Sequence, residues 1–383
     1  MEYRAFGRLN WKGSALGFGA MRLPLRGTKP AEIDEEEAIR IIRYAIDHGV
    51  NYIDTAYTYH DGRSEPCVGR ALQDGYRARV KLATKMPSWL ISSPADFDRY
   101  LDEQRERLQT DVIDFYLLHG LTRDFWIHLR DMGVCEWAEG ALAAGCIGQL
   151  GFSFHDELDT FKEIVDAYDN WTFVQIQYNY MDVHYQAGRE GLHYAAAKGL
   201  AVVVMEPLRG GLLTRPQPPR IAKLFAAAPR SRSLAEWALQ WLWDQPEVSV
   251  VLSGMSTMEQ LVENVILASK SSQAALSPAE HELLGRVRTA YEGLAPIPCT
   301  NCGYCLPCPN GVFIPRIFAL YNEACMFNEP GVPRFRYRGP TGLKPEQRAD
   351  QCSECGACEE LCPQGIPVAQ WLKKAHALLG PRK

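Results

Sequence analysis

Eight cysteines late in the chain stand in two runs whose spacing is typical of iron-sulfur proteins. The runs read CTNCGYCLPCP and CSECGACEELCP. In bacterial ferredoxins a CxxCxxCxxxCP run gives three thiolates to one cubane cluster and its fourth to a second cluster. This rule predicts two 4Fe-4S clusters. One would be held by Cys299, Cys302, Cys305 and Cys362, and the other by Cys352, Cys355, Cys358 and Cys308.

Two features of these runs leave alternatives open. The first run is one residue shorter before its last cysteine, Cys308, so the exchange of the fourth ligand stays open. Zinc also accepts four thiolates, and a pair of zinc sites is the competing interpretation. Zinc ribbons separate their CxxC pairs by a long loop, whereas a triple CxxCxxC places three sulfurs around one face of a cube. That geometry favours clusters.

Three polar residues end three successive apolar segments in the first part of the chain. They are Asp54 in NYIDTAY, Lys85 in VKLATK and His119 in IDFYLLH, and Tyr59 follows Asp54 by five residues. Each alone has an ordinary explanation, as a cap, a solvated charge or a satisfied core residue. Three such groups at successive strand ends, with Tyr59 in the adjoining loop, predict a common site.

The four side chains together suit the reduction of a carbonyl. Hydride addition leaves an alkoxide that needs a proton, and the Tyr59 phenol is a candidate donor. The ordinary pKa of a phenol, about 10, is high for work near neutral pH. A neighbouring Lys85 ammonium is expected to lower that pKa, with Asp54 keeping the lysine charged and aimed. His119 is expected to orient the carbonyl oxygen through a hydrogen bond.

These residues require a scaffold that gathers strand ends. The first 290 residues alternate short β-rich segments with longer segments of helical period, which predicts parallel strands joined by helices. Eight such units in about 250 residues favour a closed (β/α)8 TIM barrel, with its active site at the carboxyl ends of the strands. An open doubly wound sheet is the alternative, but the GxGxxG turn expected after its first strand is missing. The predicted strands span residues 16–21, 52–54, 80–85, 113–119, 147–153, 173–178, 201–205 and 248–253.

Helix signals lie between the predicted strands. One helix is predicted over 35–48, opened by Asp34 and closed by Gly49, and another over 94–108, opened by Ser92 and Ser93. The chain therefore reads as an α/β protein.

The cysteine runs belong to a second, smaller domain. Of twelve cysteines, nine follow residue 298, and Pro296 and Pro298 precede the first run. We predict a barrel domain over 1–290 and a ferredoxin-like iron-sulfur domain over 291–383. Residues 327–350 are rich in Pro, Gly and Arg and are predicted to form a loop. Cys325 and the three early cysteines have no partners by spacing and are expected to be small buried apolar residues.

Composition excludes several classes of partner. The formal net charge is -5 and charged residues are spread along the chain, so no basic field is present for nucleic acid or anionic lipid. The N-terminal segment lacks the apolar run of a signal peptide, and no segment approaches about 18 uninterrupted apolar residues. These features predict a cytoplasmic protein that acts on a small molecule and binds neither nucleic acid nor membrane.

Over residues 3–268 the sequence resembles the aldo-keto reductase family. The stretch NYIDTAYTYHDGRSEPCVGRAL is similar to that family's Asp/Tyr signature, DVIDFYLLH to its His strand and LATK to the segment with its catalytic lysine. LGFGAMRLP and PLRGGLL are also similar to family segments. The resemblance implies that Asp54, Tyr59, Lys85 and His119 form the family's catalytic tetrad, with Tyr59 as general acid and base.

The resemblance also implies a nicotinamide pocket, which the sequence matches in part. The family uses a Ser-Asn pair after strand five, a Gln on strand six and a stacking aromatic after strand seven. The corresponding residues here are Ser153 with Phe154, Gln175 and Met205. The segment SGMSTMEQLVEN resembles the family's adenosine-phosphate segment. It supplies the predicted binding residues Ser253, Gly254, Met255, Gln260, Glu263 and Asn264.

The identity of the hydride donor stays open at two points. Gln260 stands where many NADP-preferring members carry Arg, so the sequence does not choose between NAD and NADP. The missing aromatic leaves room for a flavin or another donor. Nicotinamide is favoured because the adenosine segment is otherwise complete.

Two functions are consistent with these residues. The leading hypothesis is an oxidoreductase that interconverts a carbonyl and an alcohol with NADP or NAD, its clusters relaying electrons to or from a redox partner protein or bracing the fold. The competing hypothesis is a redox-sensing or electron-transfer subunit that keeps the barrel as a nucleotide-binding scaffold. The complete tetrad argues against the second, because a sensor has no need of Tyr59 and Lys85 together. The substrate depends on loops over the barrel mouth and is not predicted.

Overall fold

The computed structural model describes residues 1–273, 275–339 and 342–381. Strands β1 to β10 in this part of the chain span Tyr3–Phe6, Leu9–Ser14, Leu16–Gly19, Tyr52–Asp54, Lys81–Met86, Ile113–Leu121, Ile147–Phe154, Phe173–Gln177, Ala201–Met205 and Val248–Ser253. Helices α1 to α8 span Glu35–Asp47, Ser64–Ala71, Ala95–Leu108, Arg123–Asp131, Val134–Ala143, Leu158–Asp166, Gly188–Ala197 and Pro219–Ala226. Helices α9 to α15 span Leu234–Trp243, Met258–Ala268, Pro278–Glu292, Ile314–Met326, Gly331–Arg338, Ala357–Glu360 and Val368–Leu379.

Strands β3 to β10 close into a parallel barrel in which each strand pairs with the next along the chain and β10 pairs with β3. This confirms the predicted (β/α)8 fold, and each of the eight predicted segments overlaps a barrel strand. Segments such as AVVVM (β9) and VSVVLS (β10) are almost wholly buried. Near-continuous apolar segments of this kind are expected where a parallel sheet is covered on both faces.

The barrel register brings the predicted site residues to one rim. Asp54 pairs with Gly19 on one side and Ala83 on the other. Ser153 on β7 pairs with Gln175 on β8. The functional residues therefore meet at the carboxyl ends of the strands, as a TIM barrel requires.

A hairpin that the sequence reading missed covers the opposite end of the barrel. Strands β1 and β2 pair antiparallel, and Phe6 is fully buried. The Phe6 ring lies 4.8 Å from Phe115 and 5.7 Å from Phe173, and Trp11 lies 5.5 Å from Phe115. The hairpin thus extends the aromatic core of the barrel interior.

Helices α1 and α3 begin and end within one residue of their predicted bounds, but at the start of α3 the expected donor and acceptor are exchanged. Asp96, in the first turn of α3, accepts hydrogen bonds from the backbone N–H groups of Ser92 and Ser93, so the serines do not supply the capping oxygen. A carboxylate here also suits the positive end of the helix dipole. Asp34 precedes α1 without a side-chain cap.

The chain divides into two compact units. One comprises Met1–Gln217 with Pro229–His281, and the other Pro218–Ala228 with the chain from Glu282 onward. The predicted boundary at residue 290 falls inside helix α11. The second unit has its own apolar core, which includes Ile317, Phe318 and Leu372.

The prediction of a loop over 327–350 is wrong. Helix α13 occupies Gly331–Arg338, and two short 3-10 turns follow at Pro345–Gln347 and Ala349–Gln351. Residues 340 and 341 of that segment lie outside the described residues. Tyr337 anchors this helix, because its ring is buried and its hydroxyl accepts a hydrogen bond from the Ala349 N–H and contacts His376 at 3.0 Å.

Among the described residues, no helix has both the length and the apolar character needed to cross a membrane.

Candidate active site

Asp54 and Lys85 form a buried ion pair at the rim of the barrel. Lys85 Nζ lies 2.6 Å from Asp54 Oδ1 and donates to the Thr55 carbonyl at 2.7 Å. Both side chains are almost inaccessible to solvent, at 1% and 3%. Burial alone would lower the pKa of Lys85, but the Asp54 carboxylate and the Tyr59 phenol outweigh it and the pKa is raised. Burial raises the pKa of Asp54, against the opposing influence of Lys85. The ammonium therefore persists at neutral pH.

Tyr59 reaches this pair from the loop that precedes α2. Its hydroxyl oxygen accepts a hydrogen bond from Lys85 Nζ at 3.3 Å. Lys85 acts to lower the pKa of this phenol, as expected, but it does not bring that pKa below the ordinary value. Burial raises the pKa of Tyr59 above its ordinary value, and the attraction of the Lys85 charge only partly offsets the rise. Tyr59 is therefore a protonated donor throughout the neutral range.

His119 lies across from Tyr59 near the end of β6. The two rings meet edge to face with centroids 5.8 Å apart, and the Trp89 ring lies 4.9 Å from His119 on another side. Burial lowers the pKa of His119 well below 6.5, and the Lys85 charge lowers it further, so the imidazole is neutral. Its buried Nδ1 has no hydrogen-bond partner in the described structure. The ring therefore carries an unsatisfied polar atom beside Tyr59.

The four tetrad residues thus come together in one place. A charged lysine, a protonated phenol and a neutral imidazole lie close together at the rim. Hydrogen-bond donors aimed at one point stabilise an oxygen on which negative charge develops. The arrangement can deliver a proton to such an oxygen.

The side chains expected to hold a nicotinamide lie beside the tetrad. Ser153 accepts a hydrogen bond from the Gly120 N–H at 2.7 Å, which leaves its hydroxyl proton free to donate. The buried Gln175 amide oxygen has no partner in the part of the chain that the structure describes. A carboxamide offers both a donor and an acceptor, so these two residues fit it.

Phe154 does not line this pocket. Its ring is fully buried and packs on Phe161, with centroids 5.1 Å apart, on the helix side of the barrel wall. Alternation along β7 explains the difference, because Ser153 and Phe154 point to opposite faces of the strand. Met205, at the position of the missing aromatic, ends β9.

The segment after β10 has an ordered polar framework. Asn264 Nδ2 donates to Ser253 Oγ at 2.9 Å, and both side chains are buried. Gln260 Oε1 accepts from the Ser256 N–H at 2.9 Å, so this side chain folds back on its own loop. Met255 is buried, whereas Gly254 and Glu263 are exposed.

The sequence reading missed two charged residues at the same rim. Arg22 Nη2 lies 3.5 Å from Glu206 Oε1. A Cβ atom at Gly254 would lie 3.1 Å from Arg22 Cβ, so these two residues are closely packed. The sequence could have indicated both residues, because charged residues that follow barrel strands lie at this rim. Arg22 follows the first barrel strand in GFGAMRLP, and Glu206 follows β9 in VMEPL.

Seven of the eight motif cysteines fall into two neighbourhoods in the second unit. Cys299, Cys302, Cys305 and Cys362 line one cavity together with apolar residues such as Ile314 and Phe318. Near Cys358, burial raises the pKa of the thiol to about 11, and the adjacent Cys352 and Cys308 add to the rise. Cys355 is exposed. The structure therefore groups Cys362 with the first run and Cys308 with the second.

The competing zinc interpretation requires four thiolates around one ion. Each sulfur would lie about 2.3 Å from the zinc. Within the described residues, no three His, Cys, Asp or Glu side chains gather as ligands of one ion. Outside the runs, Cys67 is fully buried, whereas Cys135, Cys146 and Cys325 are half-buried.

Comparisons with known proteins match both parts of the chain. The model of the aldo/keto reductase family matches residues 15–277, and that of a 4Fe-4S dicluster domain matches 298–366. L-galactose dehydrogenase of Arabidopsis thaliana is 28% identical, over 76% of this chain and 95% of that protein. An aldo-keto reductase from Bacillus halodurans in its holo form is 30% identical with a TM-score of 0.63, over 75% of this chain and 96% of its own. An aldo-keto reductase from Klebsiella pneumoniae in complex with NADPH is 25% identical with a TM-score of 0.59, over 75% and 96% of the two chains.

Proposed function

The chain belongs to the aldo/keto reductase family of oxidoreductases, and on that premise we propose that it interconverts a carbonyl and an alcohol on a small molecule, using NADP or NAD. One observation carries the proposal. Lys85, buried and charged, lies 2.6 Å from Asp54 and 3.3 Å from the Tyr59 hydroxyl. A buried ion pair often adds no stability over well-packed apolar residues, so its presence at this rim points to a functional role. It does fix the position of a phenolic proton.

Each tetrad residue has a separate task in this proposal. Tyr59 donates its proton to the oxygen of the carbonyl during reduction, and takes it back during oxidation of the alcohol. Lys85 orients the phenol and stabilises the phenolate that remains. Asp54 holds Lys85. His119, being neutral, donates a hydrogen bond to the same carbonyl oxygen without competing for the proton.

The nicotinamide, when bound, supplies or accepts the hydride. Ser153 and Gln175 would hold its carboxamide, since one has a free donor and the other an unpaired buried acceptor. Ser253, Gly254, Met255, Gln260, Glu263 and Asn264 remain the proposed adenosine residues. The complex of the Klebsiella pneumoniae enzyme with NADPH supports a nicotinamide donor over a flavin.

The dicluster domain is proposed to hold two 4Fe-4S clusters, with the fourth ligands exchanged between the runs. The cavity lined by four cysteines from both runs supports one of these sites, and the proximity of Cys308 to Cys358 supports the other. Such clusters supply one-electron transfer, so they cannot replace the hydride donor. We propose that they serve a redox partner or brace the second unit.

Transfer of deuterium tests the proposed reaction directly. Anaerobically purified protein would be given NADPH or NADH with both hydrogens of the hydride-donating carbon replaced by deuterium, together with a panel of small aldehydes headed by benzaldehyde. We expect deuterium on the carbinol carbon of the product, because the hydride passes in one step. Turnover without deuterium in the product would mean that electrons travel by another route. No turnover with any aldehyde, ketone or alcohol would favour the nucleotide-binding scaffold.

A further inference from the structure

Glu65 is a fully buried carboxylate that the proposed reaction does not use. It lies in the first turn of α2, six residues after Tyr59, and its relative exposure is 0%. Burial raises its pKa, although three hydrogen-bond donors oppose the rise. A buried carboxylate destabilises the fold unless its oxygens are hydrogen-bonded, and both oxygens of Glu65 have partners.

One oxygen of Glu65 is anchored to the strand that carries Lys85. Thr84 Oγ1 donates to Glu65 Oε1 at 2.7 Å, and Gln104 Nε2 donates to the same oxygen at 2.6 Å. Gln104 Nε2 also lies 3.1 Å from the carbonyl oxygen of Lys85. Gln104 is itself held, because the hydroxyl of Tyr116 donates to its amide oxygen at 2.7 Å.

The other oxygen of Glu65 is tied to the loop that carries Tyr59. Arg107 Nη1 lies 3.4 Å from Glu65 Oε2 and 3.4 Å from the carbonyl oxygen of Tyr57. The Arg107 guanidinium also lies over the Tyr57 ring, with its carbon 4.0 Å from the ring centroid. Tyr57 is two residues before Tyr59 in the same loop.

We infer that Glu65 is a positioning residue that sets the distance between the Tyr59 phenol and the Lys85 ammonium. It bridges β5 and the Tyr59 loop through contacts that reach both sides. The inference rests on the proposed reaction, in which Tyr59 delivers the proton. Displacement of a reacting group by about 1 Å can cost about 10²-fold in rate, so a looser bridge should be visible in turnover.

Two substitutions separate the halves of the bridge. Glu65→Gln keeps the shape and an oxygen for Thr84 and Gln104, but turns an amide N–H group toward Arg107. Arg107→Met keeps the bonds of Glu65 to Thr84 and Gln104 but removes the link from Glu65 to the Tyr57 carbonyl. The Arg107 side chain is 28% exposed, so this variant can be studied even if Glu65→Gln fails to fold. Glu35→Gln, which removes an exposed ion pair with Arg70, is the control.

Turnover is measured in the wild-type and Tyr59→Phe backgrounds, with nucleotide affinity measured alongside. We expect each substitution to lower kcat by about 10-fold, to leave the nucleotide Kd unchanged, and to have no further effect once Tyr59 is Phe. An unchanged kcat in folded variants would overturn the inference, as would an equal loss in both backgrounds. Full activity of Tyr59→Phe alone would overturn the proposed reaction and this inference with it.

Discussion

The Tyr59 hydroxyl lies 3.3 Å from the Lys85 ammonium, and yet the pKa of this phenol is above its ordinary value. Burial outweighs the attraction of the positive charge. Tyr59 therefore stays protonated at neutral pH, so the form that can donate a proton predominates over the phenolate that can accept one.

Tyr59→Phe should abolish carbonyl reduction while nucleotide binding is retained. Only the proton donor is lost, and general acid catalysis is worth about 10²- to 10⁴-fold in turnover. Steady-state rates and nucleotide titrations check this, with Tyr194→Phe as the matched control, because Tyr194 bonds an exposed carboxylate on α6. Near-normal turnover of Tyr59→Phe would remove this residue from the mechanism.

The two directions of the reaction should differ in their dependence on pH. A raised pKa keeps Tyr59 protonated through neutral pH, so the kcat/KM for reduction should stay level there and fall only in alkaline solution. Oxidation of the alcohol needs the phenolate and should rise with pH over the same alkaline range. The lowered pKa of His119 means that no loss is expected near pH 6.5. A reduction rate that halves near neutral pH would contradict these directions.

Lys85→Met should lower stability more than a lysine substitution elsewhere on β5. It leaves the Asp54 carboxylate buried without its cation, and removal of one partner from a buried pair costs about 3–5 kcal/mol. Lys81→Met is the control, because Lys81 is 44% exposed and its partner Asp114 also bonds Arg77. An exposed pair contributes about 0–1 kcal/mol. Urea unfolding of both variants checks the difference, and equal midpoints would show that the buried pair is unimportant for stability.

Protein prepared without oxygen should be brown and contain about eight irons per chain, the content of two cubanes. Cys355→Ser should lose iron, whereas Cys325→Ser, outside both runs, should keep it. Metal analysis and visible absorbance measure both. Zinc in place of iron, in a colourless protein, would mean that the ferredoxin interpretation is wrong.

The clusters should not be needed for hydride transfer. Every proposed tetrad and nucleotide residue precedes residue 265, and every proposed cluster ligand follows residue 298. Cys355→Ser should therefore lose thermal stability, because a metal bound only in the folded state contributes to folding, but keep its NAD(P)H-linked activity. Loss of that activity from stable, nucleotide-bound protein would show that electrons pass through the clusters during turnover.

The sequence was sufficient for the barrel, because the apolar periodicity of its strands is local. The convergence of Asp54, Lys85 and His119 followed from the rule that parallel strand ends share a rim. The pKa of Tyr59 could not be predicted, because its direction depends on how much protein surrounds the hydroxyl. The bridge through Glu65 was equally hidden, since its partners Thr84, Gln104 and Arg107 are distant in sequence and meet only in the folded barrel.

The hairpin of β1 and β2 bears on the direction from which ligands can approach. Phe6 and Trp11 pack against Phe115 at the amino-terminal end of the barrel, whose interior is filled by side chains. The proposed nucleotide and substrate would therefore both approach from the opposite rim, where Asp54 and Lys85 lie.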